Sequence, residues 1–310
     1  MAATTVFIDG QAGTTGLQIT ERLRARDDLE LLYLTDAERK DPNARKQGLQ
    51  QADVAVLCLP DEAAKEAVAL AAGQTRIIDA STAYRVDPDW VYGLPELSPE
   101  QRQRVAEAQY VSNPGCYPQG VILFLRPLIE AGLVSADLAV KVHAVSGYSG
   151  GGRQMIEDQQ CWSEAEADTL NSQTYGLTLA HKHVPEMRCY AGLSQAPLFT
   201  PTVAHYYKGM LVHVPLFADE VNGDKKAVLD CLQARYANEP FISVIDGDSY
   251  DSNFLNPTAC NDSNNMELFV FGNPQQILLI ARYDNLGKGA SGAAVQNLNL
   301  MLGLDERTGL

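Results

Sequence analysis

Cys116 lies in the stretch Ser112-Asn113-Pro114-Gly115-Cys116-Tyr117-Pro118. Gln109-Tyr110-Val111 before it reads as the end of a strand, and the apolar run from Gly120 to Gly132 after it reads as a helix. That puts the thiol at a helix N-terminus, where N–H groups without intrahelical partners and the helix dipole favour an anion. For cysteine the anion is the nucleophilic thiolate, and such a setting pulls a thiol pKa of about 8.5 down by one to several units. Pro118 suits an early helical position, which needs no N–H. Gly115 leaves room for close approach by a ligand. A buried, inert cysteine is the competing reading.

Three other clusters bear on that choice. Ala180-His181-Lys182-His183-Val184-Pro185-Glu186 gathers two imidazoles, an ammonium and a carboxylate in one short segment. His183 is placed to move protons near neutral pH, with Glu186 orienting it or a substrate amide. A metal site is the rival reading, but too few cysteines and carboxylates stand nearby at ligand spacing, so no metal is expected. Ser146-Gly147-Tyr148-Ser149-Gly150-Gly151-Gly152-Arg153 follows a strand and offers a backbone nest for an anion, although four glycines also make a plain turn. Asp284-Asn285-Leu286-Gly287-Lys288-Gly289-Ala290-Ser291-Gly292 leads into the last helix. It suits a nicotinamide amide or a phosphate, or close packing through small residues.

These groups need elements to position them. Val6-Phe7-Ile8-Asp9 reads as a strand, Gly10-Gln11-Ala12-Gly13-Thr14-Thr15-Gly16 as a glycine loop, and a helix carrying Leu17, Thr20 and Leu23 follows. A strand from Leu29 to Leu34 then ends in Thr35-Asp36. Strand, glycine loop, helix, strand opens a dinucleotide-binding fold. The spacing is G-x-x-G-x-x-G, and a plain βα turn is the alternative. Asp36 stands where a carboxylate would bind a ribose 2′-hydroxyl and favour NAD; Arg39 and Lys40 would pair a 2′-phosphate and favour NADP. The residues leave that choice open, and a solvated charged loop is the other reading of Arg39 and Lys40. Asp53 to Leu59 is a continuous apolar strand of the kind buried in parallel sheets. The helix Ala63 to Ala72 and the strand Arg76-Ile77-Ile78-Asp79 follow. Pro60, Ser81 and Arg85 fall beyond strand ends, where such sheets bind ligands. Arg85 or Arg153 is expected to meet the phosphate or a substrate carboxylate, a surface ion pair with Asp87 or Asp89 being the alternative for Arg85.

Beyond Cys116 the apolar pattern shifts to alternation, at Ala136 to Ser146, Leu198 to His205, Met210 to Phe217, Phe241 to Ile245, Met266 to Phe271 and Gln276 to Tyr283. Gly272-Asn273-Pro274 reads as a hairpin turn, and Lys225 to Asn238 and Ser291 to Leu304 as helices. The expected fold is α/β: a Rossmann-type doubly wound parallel sheet over residues 1–115, then an α+β domain with a mostly antiparallel sheet over 116–288. A chain of 310 residues is long enough for two cores.

With 24 basic and 39 acidic side chains the formal charge is −15, which argues against nucleic acid or an anionic membrane as partner. An anionic substrate then needs local cations. No secretory signal or membrane-length apolar run is evident. The six cysteines are scattered without C-x-x-C pairs, as expected in a reducing compartment.

A nicotinamide cofactor for hydride, a thiolate for a covalent thioester, a histidine for the proton and nests for anions together serve phosphate-linked aldehyde dehydrogenation or its reverse, acyl-phosphate reduction. Helix N–H groups at Cys116 would stabilise the oxyanion, an effect of about 3–4 kcal/mol per donor in known cases.

At this point the chain resembles the N-acetyl-gamma-glutamyl-phosphate reductases of arginine biosynthesis in their shorter form, within the aspartate-semialdehyde dehydrogenase-like group. The resemblance runs end to end. It rests on the glycine loop Asp9 to Gly16, on Asp79-Ala80-Ser81-Thr82-Ala83-Tyr84-Arg85, on the Cys116 stretch, on Ser146 to Arg153, on His181 to Glu186 and on Asp284 to Ala290. Asn-Pro-Gly-Cys-Tyr-Pro followed by His-Lys-His-x-Pro-Glu is its specific part. The resemblance implies Cys116 as nucleophile and His183 as acid/base. It implies NADP held by Gly10, Ala12, Gly13, Thr14, Thr15 and Gly16, with Asp36, Arg39, Pro60 and Ser81, and again near Asn285 and Gly287. Substrate contacts fall to Arg85, Asn113, Ser146, Gly147, Arg153, His181 and Glu186. It further implies N-acetylglutamate 5-phosphate as substrate, phosphate as co-product, a cytoplasmic homodimer or homotetramer, and a terminal segment, 289–310, that packs back on the first domain. The chain is brief after its second strand, where longer relatives carry more sequence, so the adenine and 2′-phosphate contacts are open. A relative acting on aspartyl phosphate or a carrier-linked aminoadipyl phosphate is the alternative. A non-catalytic NADP sensor is the reading from another class.

Overall fold

The computed structural model describes residues 4–35 and 37–310. Asp36 lies outside the described residues. The chain divides into two compact units, residues up to Gly115 with Ala290–Leu310, and Cys116–Gly289.

The first unit runs β1 (Thr4–Asp9), α1 (Thr14–Arg24), β2 (Leu29–Leu32), α2 (Pro42–Gln51), β3 (Val54–Leu57), α3 (Asp61–Ala71), β4 (Arg76–Asp79), β5 (Val91–Tyr92), α4 (Gln101–Glu107) and β6 (Tyr110–Ser112). Its sheet has the order β2-β1-β3-β4-β6-β5 with every pairing parallel. Alternate strand residues feed two cores, which is why the strands read as unbroken apolar runs. Val6, Ile8, Val54, Val56 and Ile78 pack with Ile19 and Leu23 of α1 and with Ala294, Val295 and Leu298. Phe7, Ala55, Leu57 and Ile77 pack on the other face with Leu49, Ala67 and Ala71. Trp90 is stacked between Tyr84 and Tyr110, at 4.2 and 4.9 Å. β2 ends at Leu32 rather than Leu34, because the Leu34 carbonyl leaves the ladder to accept from Gln11 Nε2 at 2.9 Å.

The second unit runs α5 (Cys116–Glu130), β7 (Lys141–Gly147), α6 (Gly152–Gln160), α7 (Glu164–Thr169), β8 (Ser172–Thr174), α8 (Val184–Ala191), β9 (Leu198–Ala204), β10 (Met210–Phe217), α9 (Lys225–Tyr236), β11 (Ile242–Asp246), β12 (Met266–Asn273) and β13 (Gln276–Tyr283). The sheet order is β11-β12-β13-β10-β7-β9-β8. It is mainly antiparallel, but β7 pairs β9 and β11 pairs β12 in parallel. Helices α5 and α9 pack on the sheet, and α8 packs on α5. Gly120 lets α5 approach closely, since a Cβ there would lie 2.9 Å from the Ala281 Cβ. The expected strand from Ala136 begins only at Lys141, because Leu138 N–H turns back to the Ser135 carbonyl. The terminal helix, expected from Ser291, is α10 (Gly292–Met301) in the first unit, preceded by a π-helical turn over Gly287–Ser291.

Candidate active site

Cys116 is the first residue of α5, half-buried, with no acidic side chain in the helix's first turn. Its main chain is pinned from the sheet. Tyr283 Oη at the end of β13 donates to the Cys116 carbonyl at 2.6 Å and accepts from Gly120 N–H at 3.4 Å. The phenol thus intercepts a bond that the helix would otherwise close on itself. The π-helical turn sits against Cys116. A Cβ on Gly289 would lie 3.0 Å from the Cys116 Cβ and 3.1 Å from the Asp284 carbonyl oxygen. Gln119, one turn on from Cys116 and fully buried, donates to the Lys288 carbonyl at 2.8 Å.

Tyr117 draws the histidine segment to this helix end. Its ring centroid is 5.8 Å from both His181 and His183, and 5.1 Å from Phe199. Its hydroxyl accepts from Tyr175 Oη at 3.0 Å and bonds Ser146. Burial pushes the Tyr117 phenol well above its ordinary range, with Tyr175 and Cys116 adding to the effect; burial pushes Tyr175 up to about 12. Both are therefore neutral hydroxyls at neutral pH. His183 is buried at the N-cap of α8, and Glu186 is buried in that helix's first turn. Burial and the Lys182 charge hold His181 down to about 4.

The glycine loop of the first unit forms a cradle. Gly10 has φ +90°, and a Cβ there would meet the Cys58 carbonyl oxygen at 2.3 Å; one on Gly16 would meet the Gly10 oxygen at 2.4 Å. Gly13 caps α1 with no side-chain bond, and Thr14 and Thr15 open the helix with no acidic side chain in the first turn. A helix start of this kind, with no carboxylate competing, suits an anion such as a pyrophosphate. A cavity of about 290 Å³ adjoins the loop, and Gly10, Ala12, Gly13, Arg39, Lys40 and Pro60 contribute to its lining. Asp9 at the end of β1 is paired with Arg45 of α2 at 2.9 Å, and burial still raises its carboxyl.

The remaining expected residues divide. In the first unit Ser81 Oγ donates to Asp79 at 2.6 Å, and burial raises the Asp79 carboxyl to about 6. Arg85 is buried and donates to the Ala80 carbonyl at 2.8 Å. Asn113 uses both amide atoms, donating to Ala290 O at 3.1 Å and accepting from Asn297 at 3.2 Å. In the second unit Asn285 is likewise engaged, giving Nδ2 to Ser149 Oγ at 3.0 Å and taking the Gly209 N–H at 2.7 Å. Gly147 and Gly287 answer packing: a Cβ would lie 2.7 Å from Lys208 N or 2.3 Å from the Ser263 oxygen. Arg153 is 72% exposed and paired with Glu157 along α6 at 2.7 Å, so this conformation does not turn it inward. Among the described residues no three His, Cys, Asp or Glu side chains cluster as metal ligands, and no helix is long and apolar enough to cross a membrane.

Two family models match. The semialdehyde dehydrogenase NAD-binding domain covers residues 5–105, and the semialdehyde dehydrogenase dimerisation domain covers 116–285. A Pseudomonas putida protein named N-acetyl-gamma-glutamyl-phosphate reductase 2 is 51% identical, over 96% of each chain. A Nostoc relative of the same name is 47% identical over 98% of each, and a Brucella ovis reductase 49% identical over 96% of this chain and 98% of its own. The chain belongs to the N-acetyl-gamma-glutamyl-phosphate reductase family. Solved aspartate semialdehyde dehydrogenases share its fold. One from Vibrio cholerae has a TM-score of 0.73 at 18% identity, covering 98% of this chain and 99% of that one. One with NADP from Candida albicans has 0.67 at 13%, covering 97% and 99%.

Within this reductase-family chain several site residues escaped the sequence reading. Gln119 had a signal, since three residues past Cys116 is the same helix face. Tyr175 and Tyr283 had none, because their bonds to Tyr117 and Cys116 join segments far apart in the chain. Gly289 was visible only as one glycine in a rich turn.

Proposed function

We propose that this chain reduces N-acetyl-L-glutamate 5-phosphate to N-acetyl-L-glutamate 5-semialdehyde and phosphate, reversibly, in arginine biosynthesis. The observation that carries this is the 51% identity over 96% of each chain with the Pseudomonas putida reductase. The first unit serves as the dinucleotide domain and the second as the catalytic and oligomerisation domain. The glycine cradle, with Gly10, Ala12, Gly13, Thr14, Thr15 and Gly16, holds the pyrophosphate of NADP beside Pro60 and Ser81, and Arg39 takes the 2′-phosphate.

Cys116 thiolate attacks the acyl carbon, and N–H groups at the head of α5 meet the oxyanion. The carbon–oxygen bond to phosphate breaks, His183 gives its proton to the departing phosphate, and a thioester to Cys116 is left. NADPH, when bound, supplies the hydride that turns this thioester into a hemithioacetal. Collapse of the Cys116 adduct expels the thiolate and frees the aldehyde. Arg85 or Arg153 balances substrate charge, with His181, Glu186 and the Ser146-Gly147 turn around the acyl group. Asn113, Asn285 and Gly287 serve by holding backbone in place. The chain works in the cytoplasm as a homodimer or homotetramer.

The test is a semialdehyde panel in the oxidative direction. Phosphate-dependent reduction of NADP by N-acetylglutamate semialdehyde is expected, with NADP preferred over NAD by about tenfold or more. Preference for aspartate semialdehyde would refute the substrate assignment.

A further inference from the structure

The two histidines of the His-Lys-His segment are held differently. The backbone N–H of His183 donates to Nδ1 of His181 at 3.1 Å. A peptide N–H is a donor at every pH of interest, so Nδ1 must keep its lone pair and the ring proton sits on Nε2. Four rings wall the imidazole edge-on: His183 at 4.8 Å, Phe199 at 5.2 Å, and Tyr117 and Tyr175 each at 5.8 Å. Turning the ring over would set carbon against the His183 N–H and lose that bond. The titratable groups facing it are Tyr117 from α5, Tyr175 from the segment after β8, and His183 and Lys182 from its own segment. None of these offers a carboxylate to charge it, and burial with Lys182 keeps it neutral.

We propose that His181, with its proton fixed on Nε2, donates one hydrogen bond to an oxygen of the acyl substrate and takes no part in proton transfer, which is left to His183. This rests on the reaction proposed above. A neutral donor can hold an oxygen while charge develops on it without surrendering a proton. The backbone bond gives a physical ground for dividing the labour between the two imidazoles.

Two variants and one spectrum test it. His181→Phe keeps a ring and removes the donor; His181→Gln keeps an N–H near the Nε2 position. The Phe variant should lose about 10- to 100-fold in kcat/KM, the Gln variant should recover most of that, and both should keep the wild-type pH profile of kcat. In protein labelled with nitrogen-15 histidine, the His181 signals, assigned by their loss in the Gln variant, should show neutral Nε2–H imidazole across neutral pH. A charged or Nδ1–H ring would overturn the proposal, as would a Phe variant with wild-type kcat/KM or a Gln variant no better than Phe. If Phe fails to fold, Gln and the spectrum still decide. A wild type inactive on N-acetylglutamate semialdehyde would strike the reaction reading instead, and the spectrum tests the tautomer independently of it.

Discussion

Cys58 and Cys116 look alike on paper. Each stands where a strand hands over to a helix and each has a proline two residues on; both are half-buried. Their surroundings differ. Cys58 stands before Pro60, the N-cap of α3, so it is outside the helix, and Asp61 and Glu62 occupy that helix's first turn. Desolvation, with the Asp79 and Asp9 carboxylates, pushes its thiol up to about 12. Cys116 is itself the first helical residue, and the first turn of α5 carries no acid. The Cys58 carbonyl backs the glycine cradle through Gly10, whereas Cys116 presents its side chain beside Gly289. For a strand-to-helix cysteine, entry into the helix and distance from carboxylates favour the thiolate.

The comparison breaks most visibly by substitution. Cys116→Ser should lower kcat by about 10⁴-fold or more, while Cys58→Ser should leave it within about twofold, because the Cys58 main chain rather than its thiol meets Gly10. Alkylation at neutral pH should spare Cys58, whose thiolate fraction is on the order of 10⁻⁵, and modify Cys116. Equal loss of turnover in both variants would end the distinction.

A smaller effect is expected from Gly289→Ala. Its new Cβ would crowd the Cys116 Cβ at 3.0 Å. Displacing a reacting group by a fraction of an ångström to one ångström costs on the order of 100-fold. Turnover should fall while dinucleotide binding, read by fluorescence titration, stays at the wild-type level. Unchanged kcat would mean that the π-helical turn does not position the sulfur.

The smallest effect concerns Asp79, one of the two carboxylates against Cys58. Its carboxyl is raised from 3.8 to about 6, mainly by burial. The folded chain therefore holds this proton more tightly than the unfolded one. The stabilisation is full below pH 3.8 and is lost as pH rises through about 6. Asp79→Asn should remove that downward slope in urea-unfolding free energies measured from pH 4 to 7. It should lower the Cys58 pKa only slightly, since desolvation is the larger cause. A steeper slope in the variant would contradict the assignment.

Much of the frame was legible in the chain. The Asp53 to Leu59 run contains β3, and the hairpin marked by Gly272-Asn273-Pro274 joins β12 to β13, with Gly272 and Asn273 ending β12 and the turn at Pro274-Gln275, because parallel burial and hairpin turns leave local marks. Helix α2 was passed over, since its buried residues are Arg45, Gly48 and Leu49 and no apolar stripe shows. Its Asp41 cap followed by Pro42 was a readable start signal. The capping box of α7, Ser163 with Glu166, was another. The parallel pairing of β7 with β9, and of β11 with β12, left no local trace.

The sequence by itself determined which groups are available: a thiol at a helix head, two imidazoles two positions apart, a glycine loop after a strand. These are short-range facts, written in neighbouring residues. Tertiary structure alone decided how each is held. The phenol of Tyr283 on the Cys116 carbonyl, Tyr175 on Tyr117 and Gly289 against Cys116 join residues 58 to 173 positions apart. Such contacts follow from the order in which strands pair and helices pack, which no local pattern encodes.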